Sequence, residues 1–201
     1  MTTSGQRGVS LIELMVTVTI LAILLVLGIP SFQQWTLNTR IRTVSESIQN
    51  GLRLARNEAA QQAAYVRFQL NSAGNWQVCV LPSSSASASD CSNASSVVQT
   101  WNSTDVGSSV QVGASTAVNN VAAGTFGNAT ITGGVPAGIT FNALGRPTAY
   151  GSSSVLRIDV TAAQASMQAT SRRLVTLIST GGMVNMCDPA FLMKNNPMGC
   201  P

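Results

Sequence analysis

The chain has 201 residues, with Lys+Arg 11 against Asp+Glu 7, no histidine and a formal net charge of +4 at pH 7. That length suits one domain plus an anchor, and so modest a charge makes no case for nucleic acid as the main partner. Without histidine, acid–base work would fall to a few scattered carboxylates, which argues against an enzyme. Abundant Gly, Ser, Ala, Thr and Asn suit an extracytoplasmic β-rich domain instead.

The first element is the run from Gly8 to Pro30, GVSLIELMVTVTILAILLVLGIP. Leu14 to Ile29 carries no charge, and counted from Val9 the run approaches the roughly 20 residues that cross a bilayer core. It reads as a membrane helix rather than a secretory signal, because no small-x-small cleavage site follows the apolar core. Arg7 before it and Arg40 and Arg42 after it leave the positive-inside count undecided. Removal of a short leader at the Gly8/Val9 junction is the alternative. Glu13, the one acid, has two readings: it complements the positive end of the helix dipole, or it awaits a cationic partner, in particular an α-amino group freed by cutting before Val9. Pro30 removes a backbone donor from the helix, and Gly28 weakens the same place.

Beyond Pro30 the pattern becomes periodic. Leu37, Ile41, Val44, Ile48, Leu52, Ala55 and Ala59 recur at steps of three and four, predicting one buried helical stripe that stops near Ala63. The two parts together make a single helix of roughly fifty residues. Arg42 and Glu46 stand four apart on another face; Arg53 and Arg56 read as solvated charge. Gly51, Ala55, Ala59 and Ala60 are small enough for close packing on a sheet.

Tyr65–Leu70 and Trp76–Leu81 alternate around NSAGN and predict a hairpin. Pro82 to Ser96 reads as a low-complexity loop. Weaker strands are expected at Val97–Trp101, Ser109–Val112 and Ala129–Thr132, in an order the sequence does not fix. Ile139 and Phe141 should face inward before a turn at Asn142–Pro147. Val155–Val160 is an alternating strand, and RRLVTLISTGGMVNMC gives another strand, a glycine turn and a short return. Strands of this spacing favour an antiparallel sandwich or curled sheet packed on the helix.

Cys79, Cys91, Cys187 and Cys200 all follow the apolar segment. Three connectivities exist, of which two local bridges are the simplest. Neither spacing suits a metal, and zinc has lost its usual histidine. Ser179-Thr180-Gly181-Gly182 is neither a nucleophile elbow nor a P-loop, since the only lysine is Lys194. No cofactor is expected.

The run GVSLIELMVTVTILAILLVLGIPSF resembles the N-terminus of type IV pilins and type II secretion pseudopilins. Gly8, Val9 and Glu13 fall on that family's last leader residue, first mature residue and fifth-position acid, although Val9 stands where Phe or Met is usual. The resemblance implies cleavage after Gly8 by prepilin peptidase, N-methylation at Val9, and a role for Glu13 in aligning subunits. It also implies that Pro30 is the proline at which such helices kink or unwind in filaments. Leu52 to Val66, Phe141 to Pro147 and Leu174 to Cys187 further resemble the GspH/FimT/FimU group of minor pilins and minor pseudopilins.

The expected fold is α+β and pilin-like, a long N-terminal helix packed on an antiparallel β-rich domain. Its parts would be a leader at 1–8, a transmembrane and assembly helix at 9–30, an amphipathic half-helix at 31–63 and a periplasmic domain at 64–201. The implied function is a minor pilin that helps to initiate or cap a type IV pilus. The implied partners are prepilin peptidase, the major pilin, other minor pilins, the inner-membrane assembly platform and inner-membrane lipid. A type II secretion pseudopilin is one alternative. A DNA-binding minor pilin is the other, with Arg172, Arg173 and Lys194 as candidate phosphate contacts. Against the latter, Gly181-Gly182-Met183 lacks the arginine the DNA-binding branch carries in this turn, and no aromatic platform accompanies the cations.

Overall fold

The computed structural model describes residues 10–70, 74–82, 91–103, 108–118, 137–151 and 153–201. Gly8, Val9 and the strand expected at Ala129–Thr132 lie outside them. The chain divides into two compact units, one reaching to Thr36 and the other spanning Leu37–Pro201.

Helix α1, Leu11–Gln62, contributes to both units. In the second unit its stripe behaves as the periodicity demands: Leu37, Ile41, Val44, Ile48, Leu52, Ala55 and Ala59 are all buried. Gly51 is buried as well, and a Cβ there would stand 2.8 Å from Phe68 and 2.9 Å from Trp76, so the helix approaches the sheet more closely than alanine would permit. Ala60, expected among the packing residues, is exposed instead, because it lies off the stripe. Arg42 and Glu46 pair at 2.7 Å on the solvent face.

The helix ends as the sequence predicts, by an unusual device. Ala63 adopts φ +49°, and the Ala64 N–H reaches back to the Ala59 carbonyl at 3.2 Å, the six-to-one closure of a left-handed helix stop that glycine normally provides. Because the left-handed conformation costs an L-residue about 1 kcal/mol or more, Ala63→Gly should stabilise the domain by about that amount. A rise in denaturant midpoint with unchanged slope would register it.

β1 (Tyr65–Leu70) and β2 (Trp76–Leu81) form the expected hairpin, with Tyr65 opposite Leu81 and Leu70 opposite Trp76. β3 (Ser96–Trp101) and β5 (Gly138–Phe141) complete an antiparallel sheet in the order β3-β2-β1-β5. The second sheet runs β4-β6-β7-β8-β9, from β4 (Val110–Ser115), β6 (Arg157–Ala162), β7 (Leu174–Ile178), β8 (Val184–Leu192) and β9 (Gly199–Cys200). A short helix, α2 (Ala165–Gln168), joins β6 to β7. The architecture is therefore α+β, a long N-terminal helix packed through its second half on antiparallel sheets. Among the described residues the one parallel pairing is β8 with β9. Three bounds moved. β4 begins and ends later than the Ser109–Val112 expected, β6 starts two residues after Val155, and the short return is a nine-residue strand.

One core serves both sheets and the helix. Val66, Phe68, Leu70, Trp76, Val78 and Val80 of the first sheet and Ile158, Val160 and Ala162 of the second join the helical stripe in a single apolar cluster. Polar ties fix the helix on both: the Trp76 indole N–H donates to the Ser47 hydroxyl at 3.3 Å, and Arg40 donates to Ser109 at 3.0 Å.

The outer face of each sheet is covered by a disulfide. Cys79–Cys91 packs with Leu81, and the Cys91 N–H donates to the Gln69 side chain at 2.9 Å. Cys187–Cys200 packs with Val175. The bridges thus link neighbours 12 and 13 residues apart in sequence. Each converts a solvent-facing sheet surface into a second, smaller apolar contact.

The outer face of β6 is the least expected feature. Its alternation sends Ile158 and Val160 inward, yet Arg157 and Asp159 on the opposite face are only 2% and 0% exposed. Arg157 Nη2 donates to Asp159 Oδ1 at 2.8 Å, and its Nε stands 2.7 Å from Oδ2. Arg173 adds a third charge, 3.4 Å from the same Oδ1.

Candidate functional site

The first unit carries the residues with the clearest chemistry. The Ser10 carbonyl accepts from the N–H groups of Glu13 at 3.0 Å and Leu14 at 3.1 Å, which opens α1 and puts Glu13 in its first turn. There an ionised carboxylate complements the unsatisfied backbone donors of the helix start. Glu13 itself is exposed.

From Leu11 to Ile29 every large apolar side chain described is more than half exposed, Leu11 at 77%. The most apolar stretch of α1 has a mean hydropathy of 2.7 and none of it is buried. Its hydroxyls are satisfied within the helix: Thr17 donates to the Leu14 carbonyl at 2.9 Å and Thr19 to the Met15 carbonyl at 2.7 Å. A segment with its polar groups internally paired and an apolar surface all round is what hydrocarbon accepts. Among the described residues α1 is the one helix long and apolar enough to cross a membrane.

The helix continues unbroken through Pro30. Since proline has no N–H, the carbonyl four residues earlier loses its helical donor there. Just beyond, Phe32 and Trp35 are each 65% exposed with ring centroids 6.0 Å apart. An aromatic pair ending an apolar run matches the belt that sits at a membrane surface. The sequence reading passed over it, although the i, i+3 spacing directly after Pro30 is visible in the chain.

The cations singled out for phosphate contact fall into different settings. Arg172 and Arg173 precede β7, beside a cleft of about 370 Å³ lined by Thr170 to Arg173 and Asp188 to Phe191. Arg172 is exposed but lies 3.6 Å from the buried carboxylate of Asp188. Arg173 is mostly buried against Asp159. Burial lowers its pKa; Asp159 opposes that, Arg157 adds to it and Asp188 opposes it. Lys194 is exposed in the turn between β8 and β9. Two of the three cations thus already face acids of their own chain. Among the described residues no group of His, Cys, Asp or Glu is placed to hold a metal ion.

Two glycine turns meet beside α1. At the first, Asn142 caps its own turn: its side-chain oxygen accepts from the Leu144 and Arg146 N–H groups, each at 3.0 Å, and Gly145 takes φ +68°. At the second, Gly182 takes φ +75° and its N–H donates to the Ser179 carbonyl at 2.9 Å. Arg56, expected in solvent, is half-buried between them.

Residues 3–29 match the family described as the prokaryotic N-terminal methylation motif. No curated protein matches the chain. Among solved structures the chain is similar to the type IV minor pilin FimU of Pseudomonas aeruginosa (strain PAO1), at 14% sequence identity and a TM-score of 0.45, over 76% of this chain and 91% of that one.

Proposed function

We propose that the chain is a minor pilin that helps to initiate or cap a type IV pilus. The observation that carries this reading is the methylation motif over residues 3–29, which coincides with the start of the one described helix able to span a membrane. In this account residues 1–8 are a leader, removed after Gly8 by prepilin peptidase, and the new amino group of Val9 is N-methylated. Residues 9–30 hold the subunit in the inner membrane, with Phe32 and Trp35 at its surface and the disulfide-bonded domain in the periplasm. On assembly the same segment leaves lipid and packs among the corresponding helices of the major pilin and other minor pilins.

The chemistry of that transfer follows from the residues. A helix with leucine, isoleucine and valine on all sides is soluble in hydrocarbon and equally able to pack in an apolar bundle. Lipid and bundle differ in what they offer a charge. Glu13 at the headgroup level is hydrated; within a bundle it requires a cation, and the Val9 amino group of a neighbouring subunit supplies one. The pairing would therefore set the axial register of each incoming subunit. Pro30, with its missing donor, marks where the helix can yield without breaking further hydrogen bonds.

Deleting the gene tests the assignment. Loss of piliation and twitching, with secretion intact, is the expected phenotype. Intact piliation with failed protein secretion would move the chain to a type II secretion filament and overturn the pilus reading.

A further inference from the structure

We propose that the cleft between α1 and the Gly181–Gly182 turn receives a carboxylate side chain of a neighbouring protein subunit, gripped by Arg53 and Arg56. The cleft has a volume of about 310 Å³ and is lined by Arg53, Arg56 and Asn57 of α1 and by Gly182 to Asn185. Arg53 and Arg56 stand three apart and so share one face of the helix, where their like charges repel. An anion between them relieves that repulsion.

Arg56 is held in place by the two turns. Its Cγ and Nε lie 3.2 and 3.3 Å from where a Cβ on Gly145 would stand, and Nε lies 3.4 Å from the same point on Gly182. Both turns omit a side chain where the arginine passes. Fixing so long a side chain forfeits much of its rotamer freedom, and among the described residues no acid offsets the loss. Among the described residues neither Arg53 nor Arg56 makes an ion pair or hydrogen bond, and no acid lines the cleft. The described acids of the domain are engaged elsewhere: Glu46 with Arg42, Glu58 with Gln62, Asp159 with Arg157 and Arg173, Asp188 with Arg172. A guanidinium pre-positioned without a counter-ion is a binding group waiting for one.

The lining favours a glutamate or aspartate over a nucleic acid. Among the described residues no aromatic ring lines the cleft for a base to stack on. The exposed Met183 and the side chain of Val184 form an apolar wall that suits methylene groups, while Asn57 and Asn185 bring amide donors to the rim. The partner being another subunit rests on the filament reading; the carboxylate chemistry does not.

The test uses the full chain in detergent with a hexaglutamate peptide as probe and an oligothymidylate of equal charge as competitor. Hexaglutamate should bind, more weakly as salt rises, and Arg53→Gln should reduce affinity about tenfold, the loss of one charge-assisted contact. Arg56→Gln should do the same, and Arg172→Gln should leave binding unchanged. Arg53 is exposed, so its variant reads the site even if Arg56→Gln fails to fold. Absence of hexaglutamate binding, unchanged affinity in Arg53→Gln, or stronger binding of the oligothymidylate through the same arginines would each overturn the proposal. Because the assay uses purified protein, these outcomes are independent of whether the chain enters filaments.

Discussion

Replacing Asp159 with asparagine is expected to destabilise the domain by about 3–5 kcal/mol, the cost of leaving a buried charge without its partner. Asp159 is fully buried and faces two guanidinium groups, Arg157 at 2.7 Å and Arg173 at 3.4 Å. Asparagine keeps the shape and one acceptor but removes the carboxylate charge paired with Arg157, which itself is only 2% exposed. Screening does not soften the effect, as it does at the exposed Arg42–Glu46 pair. Replacing Arg157 and Asp159 together with apolar residues of similar volume should recover most of the loss, because a buried pair is worth little more than good packing. Urea titration of the single and double variants measures both. A single variant within about 1 kcal/mol of the parent would mean that the charges are solvated.

The second large effect is expected at Glu13. Glu13→Val should leave membrane insertion intact, since the change only lengthens the apolar run, while the amount of chain recovered in sheared filaments falls more than about tenfold. An ammonium carried into an apolar bundle without a counter-charge costs several kcal/mol, and every tenfold corresponds to about 1.4 kcal/mol. Quantitative immunoblots of membrane and filament fractions provide the ratio. Equal recovery of the variant and the parent in filaments would remove Glu13 from the assembly step.

Much of the fold was legible because its signals are local. The helical stripe from Leu37 to Ala59, the hairpin at Tyr65–Leu81 and the turn at Asn142–Pro147 each declare themselves by period or by turn chemistry within a few residues. The β6 strand shows where that logic stops. Its alternation was visible, but alternation normally means one wet face, whereas Arg157 and Asp159 are buried, with Arg173 brought against Asp159 from beyond the strand. The same blindness hid Arg56. On the helix it looks like any solvent-facing arginine; the two glycine turns that enclose it come from residues 145 and 182, far along the chain. Most of the second sheet's order was illegible for a related reason: apart from the glycine turn that joins β7 to β8, its strands β4, β6 and β9 carry few residues that specify a neighbour.

At the N-terminus the position is reversed, because chemistry there was readable before geometry. Gly8, Val9 and Glu13 suggest a processing site through their resemblance to a pilin N-terminus, and α1 places Glu13 in a first helical turn with lipid-compatible side chains after it. One covalent fact therefore decides whether the chain is a processed filament subunit. Intact-mass and N-terminal fragment spectra of the chain recovered from sheared filaments should give a product that begins at Val9, lacks residues 1–8 and carries a methyl group on its α-nitrogen. Assembled, functional chain that still carries the leader, or begins elsewhere without methylation, would contradict it.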